Sequence, residues 1–333
     1  MMNQHQLTEI NEHEFPRTGS QEQKLKFLLQ YAVLAPSLHN TQPWRFTIHD
    51  NTIDLFADTG RWLKVTDPDQ REIYISLGCA LENLLIAASH LGYEYKVTYF
   101  PNASEREWIA AIQFTETQKS HGLADKELFY AIGLRHTHRQ VYEMTKPSER
   151  DMQHLQASID EHDLALQFTD DADIKQQIDA LMTTADAIQF SFDGYRSELV
   201  EWMEQGTFGA RWLINRTGQL ATAYLNVISK QTGLQLPSPV NMPLLGFIST
   251  RTDDLEARVR AGQAFERLAL HATSLNIALQ PHTQVLQVAS TKRDVARLFP
   301  IKETHPQMIF RLGYTDLAQS GTPRQSVDSV INQ

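Results

Sequence analysis

The sequence predicts an α+β fold in which two diverged halves of one chain pack together as an intramolecular pseudo-dimer. The first observation is a pair of long apolar helical patterns, Glu72–Leu91 and Thr252–Leu275, that resemble each other. The second is a series of short segments that alternate apolar and polar residues, as half-buried strands do. We therefore expect mixed or antiparallel sheets around long central helices.

The two long helical patterns match at one constant offset of 184 positions. Glycine, glutamate and apolar residues coincide at six pairs, which are Gly78/Gly262, Ala80/Ala264, Glu82/Glu266, Leu84/Leu268, Ala88/Ala272 and Leu91/Leu275. Two core helices could acquire matching apolar faces independently. Glycine and glutamate at the same offset favour an internal duplication instead, and a duplicated fold offers binding sites between its halves.

The predicted first half spans residues 21–130 and follows an N-terminal arm, residues 1–20, that we expect to be loose. It starts with an amphipathic helix over Gln21–Leu34 and continues after the central helix to a further helix over Ala124–Leu134. Alternation predicts its strands at Trp44–Ile48, Thr52–Ala57, Tyr93–Phe100 and Trp108–Phe114.

The predicted second half spans residues 131–330. Its remaining helical patterns cover Ser148–Glu161, Asp173–Leu199 and Glu201–Leu213, and its strands cover Leu164–Phe168 and Met308–Leu312. Glycines and prolines interrupt an apolar stretch at about 215–247. We interpret that stretch as a flexible, lid-like insertion.

Bulk composition excludes several classes of function. The 333 residues carry a net charge of −10, which argues against nucleic acid as the main partner. A single cysteine, Cys79, permits no intrachain disulfide. The polar, acidic start is unlike a signal peptide, and no apolar run approaches the ~20 residues of a membrane helix. We expect a cytoplasmic protein with no membrane partner.

A turn rich in hydrogen-bonding groups joins the first helix to the first strand, at residues 35–46. Two prolines, Pro36 and Pro43, fix φ and push the preceding residues toward extended backbone. The polar side chains at this corner are Ser37, His39, Asn40 and Gln42. Such residues also make ordinary capped turns, so this turn alone does not identify a site.

A basic segment, Arg135-His136-Thr137-His138-Arg139, follows the predicted helix 124–134. Arginines bind phosphate bidentately and stay charged, although each could also form a surface ion pair. His136 and His138 could hold a metal only with a third ligand from elsewhere, so we predict no metal site. The sequence has no Gly-x-Gly-x-x-Gly, Walker, His-Glu-x-x-His or Gly-x-Ser-x-Gly motif.

The turn and the basic segment together resemble the FMN-dependent nitroreductase family. Its members carry Ala-Pro-Ser-x-x-Asn-x-Gln-Pro-Trp at such a corner, as residues 35–44 do, and Arg-x-[Ser/Thr]-x-Arg, as residues 135–139 do. The chain is more similar still to the Acg-type branch, in which one chain contains two nitroreductase-like halves and a lid. Further stretches that fit the branch lie at residues 67–78, 253–264 and 310–324.

The resemblance implies one FMN per chain, because each half keeps only one of the two motifs. It implies cofactor-binding roles for Ser37, His39, Asn40, Gln42, Arg135, His136, Thr137, His138, Arg139, Pro281, His282, Thr283, Gln284, Arg311 and Arg324. Among these residues, Arg135, Arg139 and Arg324 would bind the phosphate. A backbone N–H of residues 281–284 would lie near flavin N5.

The resemblance also implies an oxidoreductase that passes hydride from NAD(P)H through flavin to a nitroaromatic or quinone-like acceptor. The flavin would carry the chemistry, so we expect no catalytic side chain. A closed lid would favour a different function, that of an FMN-sequestering protein with little turnover. A third alternative is a flavin-free scaffold. We expect a monomer that acts as a pseudo-dimer, and further pairing into a homodimer stays open.

Overall fold

The structure, a computed structural model, describes residues 10–117, 123–139, 141–159, 162–204, 243–299, 304–315 and 322–332. Its α-helices are α1 (Gln21–Ala32), α2 (Arg71–His90), α3 (Leu123–Leu134), α4 (Glu149–Ala157), α5 (Ala172–Ser191), α6 (Asp193–Glu204), α7 (Leu255–Ser274), α8 (Gln284–Gln287), α9 (Ala289–Leu298) and α10 (Val327–Val330). Its strands are β1 (Trp44–His49), β2 (Thr52–Ala57), β3 (Tyr93–Tyr99), β4 (Trp108–Glu116), β5 (Leu164–Thr169), β6 (Leu244–Thr250), β7 (Ala278–Pro281) and β8 (His305–Gly313).

The strands form two four-stranded sheets with the same topology. The first has the order β1-β2-β4-β3 and the second has the order β5-β6-β8-β7. Every named pair is antiparallel, and each sheet has a bulge between its two central strands. The long helix precedes the third strand in both cases, because α2 leads into β3 and α7 leads into β7. This repetition supports two diverged halves.

The two central helices cross at the matching glycines. A Cβ on Gly78 would lie 2.0 Å from the carbonyl oxygen of Val259, and a Cβ on Gly262 would lie 2.0 Å from that of Ile75. Ile75 and Val259 are themselves 184 positions apart. The two contacts are therefore related by a pseudo-twofold axis, and only glycine permits so close an approach.

The matching glutamates are buried near this crossing. Arg267 lies 2.6 Å from Glu82, and Gln263 donates to the same carboxylate at 3.1 Å. Arg135 lies 3.0 Å from Glu266. Burial raises the pKa of both carboxyls, to about 7 for Glu266 even though Arg135 opposes the shift. Each half thus contributes one carboxylate to the contact between the helices.

Residues 10–20 pack against the first half, and residues 1–9 of the predicted arm lie outside the described residues. The buried Phe15 ring meets Phe27 edge to face at 5.5 Å. Ser20 caps α1 through a capping box with Gln23. The described part of the arm is therefore held against the core by contacts that its polar composition did not suggest.

The predicted lid-like insertion at 215–247 is wrong at its C-terminal end. Residues 215–242 lie outside the described residues, but Leu244–Phe247 belong to β6, which is buried along its whole length. Gly246 resembled a loop residue in the sequence. In the sheet it makes room for the Phe310 ring, which an added Cβ would meet at 2.1 Å.

Smaller differences concern where helices begin and end. The predicted helix Asp173–Leu199 is divided at Phe192, whose extended backbone separates α5 from α6. Asp254 caps α7 by accepting from the N–H of Ala257, so the helix begins at Leu255 and not at Thr252. The sequence analysis did not predict β6, β7, α8, α9 or α10. Of these elements, β7, α8 and α10 have only four residues each, too few to produce a clear period.

One described helix, α2, has the length and apolar composition of a membrane span, which the sequence analysis did not expect. Within its most apolar window, 89% of the residues are buried in the protein. This burial is typical of a central core helix, so the composition of α2 is weak evidence for a membrane span.

Candidate functional site

A cavity of about 150 Å³ lies beside α2, where the turn, the basic segment and the corner between β7 and α8 meet. Its floor includes the buried apolar side chains of Ile75, Phe265 and Met308. Eight of the predicted site residues line it, namely Ser37, His39, Thr137, Arg139, Pro281, His282, Thr283 and Gln284. Three segments that are distant in sequence therefore meet at one cavity.

Hydrogen bonds hold the turn in shape and hold it against α2. Ser37 Oγ accepts from the N–H of Gln42 at 2.9 Å, and the N–H of Leu38 donates to Ser76 Oγ at 3.3 Å. His39, Asn40 and Gln42 all have positive φ, between 49° and 56°. Such a run is costly for residues other than glycine, so the surrounding contacts must impose this shape on the turn.

Asn40 and Gln42 do not line the cavity but bind the C-terminal segment. Asn40 Oδ1 accepts from Arg324 at 2.7 Å, and Asn40 Nδ2 donates to the carbonyl of Pro323 at 3.0 Å. Gln42 Oε1 accepts from the N–H of Gln325 at 2.8 Å. These amides therefore join the turn to a segment about 280 residues later in the chain.

The basic segment docks on the edge of the second sheet. Thr137 forms a parallel bridge with Leu279 of β7, and the N–H of His138 donates to the Leu279 carbonyl at 3.2 Å. This docking brings Thr137 and Arg139 to the cavity. Burial lowers the pKa of the Arg139 guanidinium, which makes this cation a favourable partner for an anion.

Two further arginines form a buried cluster behind the turn. Arg135 pairs with Glu266, and the carbonyl of Leu34 accepts from both Arg135, at 3.2 Å, and Arg324, at 2.9 Å. Burial, reinforced by the charge of Arg135, lowers the pKa of Arg324 to about 9. Two guanidinium groups and one carboxylate leave an excess of positive charge here, although neither arginine lines the cavity.

The two histidines of the basic segment also lie away from the cavity lining. Burial and the nearby Arg135 lower the pKa of His136 to about 4, and the same causes lower the pKa of His138. Both side chains are therefore neutral at pH 7. Within the described ranges, no three potential metal-ligating side chains come together.

Arg311 acts behind the cavity wall. Its Nε and Nη2 donate to Gln280 Oε1 at 3.1 and 2.6 Å, and its guanidinium lies 4.2 Å from the centre of the Tyr142 ring. Because a guanidinium can only donate, the amide oxygen of Gln280 must face Arg311. The NH2 group of Gln280, a residue that lines the cavity, therefore points away from Arg311.

Several lining residues were missed by the sequence analysis, namely Glu72, Ile75, Ser76, Cys79, Tyr195, Phe265, Gln280, Gln287 and Met308. Four of them follow the spacing i, i+3, i+4, i+7 along α2, which is one helix face and was a usable signal. Cys79 is buried and donates to the carbonyl of Gly262 at 3.2 Å. Burial raises the pKa of its thiol, which disfavours the reactive thiolate.

Helix α6 brings the buried Tyr195 to the cavity and is tied to the loop before α2. Glu198 accepts from the N–H groups of Val65 and Thr66, each at 2.9 Å, and from Thr66 Oγ1 at 2.7 Å. Glu198 lies about one turn after Tyr195. The carboxylate therefore connects the helix that forms one cavity wall to the first half of the chain.

Known proteins resemble this chain along nearly all of its length, although no family model matches it. It is 29% identical over 318 residues to "Putative NAD(P)H nitroreductase Rv3131" of Mycobacterium tuberculosis, which covers 92% of this chain and 90% of the relative. It is 26% identical over 327 residues to "Putative NAD(P)H nitroreductase acg" of the same organism, and this match covers 92% of this chain and 95% of the relative.

A solved structure shares the fold. The crystal structure of a "putative nitroreductase" from Anabaena variabilis covers 90% of this chain and 90% of its own, with a TM-score of 0.55 and 10% identity. The chain thus has the nitroreductase-like α+β fold with two halves in one polypeptide. The relatives confirm the resemblance to the nitroreductase family, and in particular to its Acg-type branch.

Proposed function

We propose that the chain binds one FMN in the cavity beside α2 and acts as an NAD(P)H-dependent oxidoreductase of the nitroreductase type. The observation that carries the proposal is that the turn, the basic segment and the β7–α8 corner line one cavity. The relatives, each named a "Putative NAD(P)H nitroreductase", support the same activity. A nitroaromatic or quinone-like compound is the proposed electron acceptor.

The end of the cavity near the basic segment suits the phosphate of FMN. Arg139 supplies a guanidinium with a lowered pKa, and Thr137 supplies a hydroxyl. Arg135 and Arg324 add positive charge from behind, only partly balanced by Glu266. A dianionic phosphate would offset this excess, so the donor set fits the group.

The rest of the cavity suits a planar ring system. Ile75, Phe265 and Met308 provide an apolar floor, while Gln280 and Ser37 provide polar groups at its edge. This combination of apolar surface and a few fixed polar groups is typical of cofactor sites. Arg311 and Asn40 would act as positioning residues, the first through Gln280 and the second through Arg324.

Bound FMN supplies the electron transfer from NAD(P)H to the acceptor. The side chains of the cavity bind and orient the ligands, and none is proposed as catalytic. We further propose that residues 21–130 and 131–330 are the two halves, and that one polypeptide, with the turn from one half and the basic segment from the other, makes one complete site.

The visible absorbance of the purified protein tests this function. We expect bound FMN, which NADPH or NADH bleaches under anaerobic conditions and which a nitroaromatic or quinone then restores. Arg139→Ala should lose FMN, whereas Arg293→Ala, at an exposed position of α9, should retain it. A protein that binds no flavin would contradict the proposal, and bound flavin that no nicotinamide bleaches would favour FMN storage.

A further inference from the structure

Glu72 places a carboxylate in the wall of the cavity. It lies in the first turn of α2, lines the cavity, and keeps only 5% of its side-chain surface accessible. Its Oε1 accepts from Arg71 at 2.5 Å. Among the described residues, no side chain or backbone group donates to Oε2. One carboxylate oxygen is therefore held inside the protein, and the other remains available to a ligand.

Buried partners fix this carboxylate. The side chain of Arg71 is 1% exposed, and its second Nη donates to the backbone carbonyl of Gln307. Gln307 lies at the bulge of β8, where Met308 and Pro306 pair with neighbouring residues of β6 and leave Gln307 between them. Asp67 accepts from the N–H of Glu72 at 3.0 Å, which secures the start of α2.

The partner of Glu72 and the basic segment reach the second sheet at different points along β8. This partner, Arg71, binds Gln307, whereas Thr137 bridges Leu279, which pairs with Leu312. Leu312 follows Gln307 by five positions in β8, which is about 16 Å along an extended strand. If the phosphate of FMN occupies the arginine end, the ring and its reaction partner lie toward Glu72.

We propose that Glu72 selects the second ligand, and that this ligand is an uncharged aromatic compound that donates a hydrogen bond, such as a carboxamide. The inference rests on the proposed function and deepens it. An ionised carboxylate can only accept, so it favours a donor. An ionised aromatic carboxylate has no hydrogen to donate and would place its own oxygens against Oε2, so it is disfavoured.

Replacing Glu72 by glutamine should turn a hydrogen-bond acceptor in the cavity wall into a donor. Arg71 can only donate, so the amide oxygen of the variant must take the place of Oε1. The NH2 group would then occupy the position of Oε2, and an acceptor would become a donor. We expect Glu72→Gln to lose the preference for carboxamides over carboxylates.

The test measures binding of benzamide and benzoate to the FMN-loaded protein, followed by the change in flavin absorbance. The wild type should bind benzamide at least about tenfold more tightly than benzoate, a difference of ~1.4 kcal/mol in binding free energy. Glu72→Gln should bring the ratio to about one or invert it. Glu127→Gln, an exposed position on α3 that removes the same charge, should keep the wild-type ratio.

The wild-type ratio alone can overturn the inference, whether or not the variant folds. Equal or tighter binding of benzoate, or binding of neither compound, would contradict it. An unchanged ratio in a folded Glu72→Gln variant would do the same. In each of these cases the protein still holds FMN, and the proposed function stands. A protein without FMN would overturn both proposals.

Discussion

Alanine at Gly78 tests the packing of the two central helices. An added Cβ would lie 2.0 Å from the backbone carbonyl oxygen of Val259, whereas ordinary contact starts at 3.4 Å. The helices would have to separate by about 1.4 Å. Overpacking of this kind costs about 1–3 kcal/mol, and alanine returns only ~0.5–1 kcal/mol of helix propensity. Because a backbone carbonyl cannot rotate away, we expect a destabilisation near the upper limit.

Gly262→Ala should cost a similar amount, since its contact with Ile75 is the pseudo-symmetric equivalent. The assay is thermal and urea unfolding followed by circular dichroism. Gly133→Ala is the matched control, because a Cβ there meets no atom within 4 Å near the end of α3, and it should raise stability slightly. Gly78→Ala with wild-type stability, or two central variants with very different costs, would refute the proposed crossing.

Two other variants address α6 and His271 of α7. Glu198→Ala removes three hydrogen bonds to Val65 and Thr66, so hydrogen exchange and proteolysis of α6 should increase, while the exposed Glu201→Ala stays unchanged. Burial lowers the pKa of His271 to about 4, so the folded state binds fewer protons than the unfolded state between pH 6.5 and 4. The free energy of unfolding should therefore fall as the pH is lowered across this range, and it should fall less steeply in His271→Asn. Urea titrations at several pH values measure this dependence, and equal slopes against pH in the two proteins would contradict the expectation.

Much of the fold could be predicted because its signals are local. Each of the helices α2 and α7 has one buried face, which produces the apolar periodicity of its sequence. The constant offset between the two patterns is likewise visible in the sequence. The turn and the basic segment could be recognised as short runs of residues. Their meeting at one cavity follows from the intramolecular pairing of two halves.

What the sequence did not reveal depends on contacts between distant residues. Nothing in the sequence near Asn40 indicates that its side-chain oxygen accepts a hydrogen bond from Arg324, 284 positions later. Gly246 resembled a loop residue because the Phe310 ring that it accommodates lies on another strand. Arg311 was predicted to bind the cofactor, but its contact with Gln280, a residue of the neighbouring strand β7, could not be read from the sequence. Such pairings are set by the tertiary fold, which overrides local preference.

The flavin content of the purified protein tests the central claim most directly. Released flavin and protein concentration, measured on the same sample, should give one FMN per chain, because one turn and one basic segment make one complete site. Two flavins per chain would mean that each half carries a full site. No flavin, after incubation with an excess of FMN, would mean that the cavity beside α2 serves another ligand.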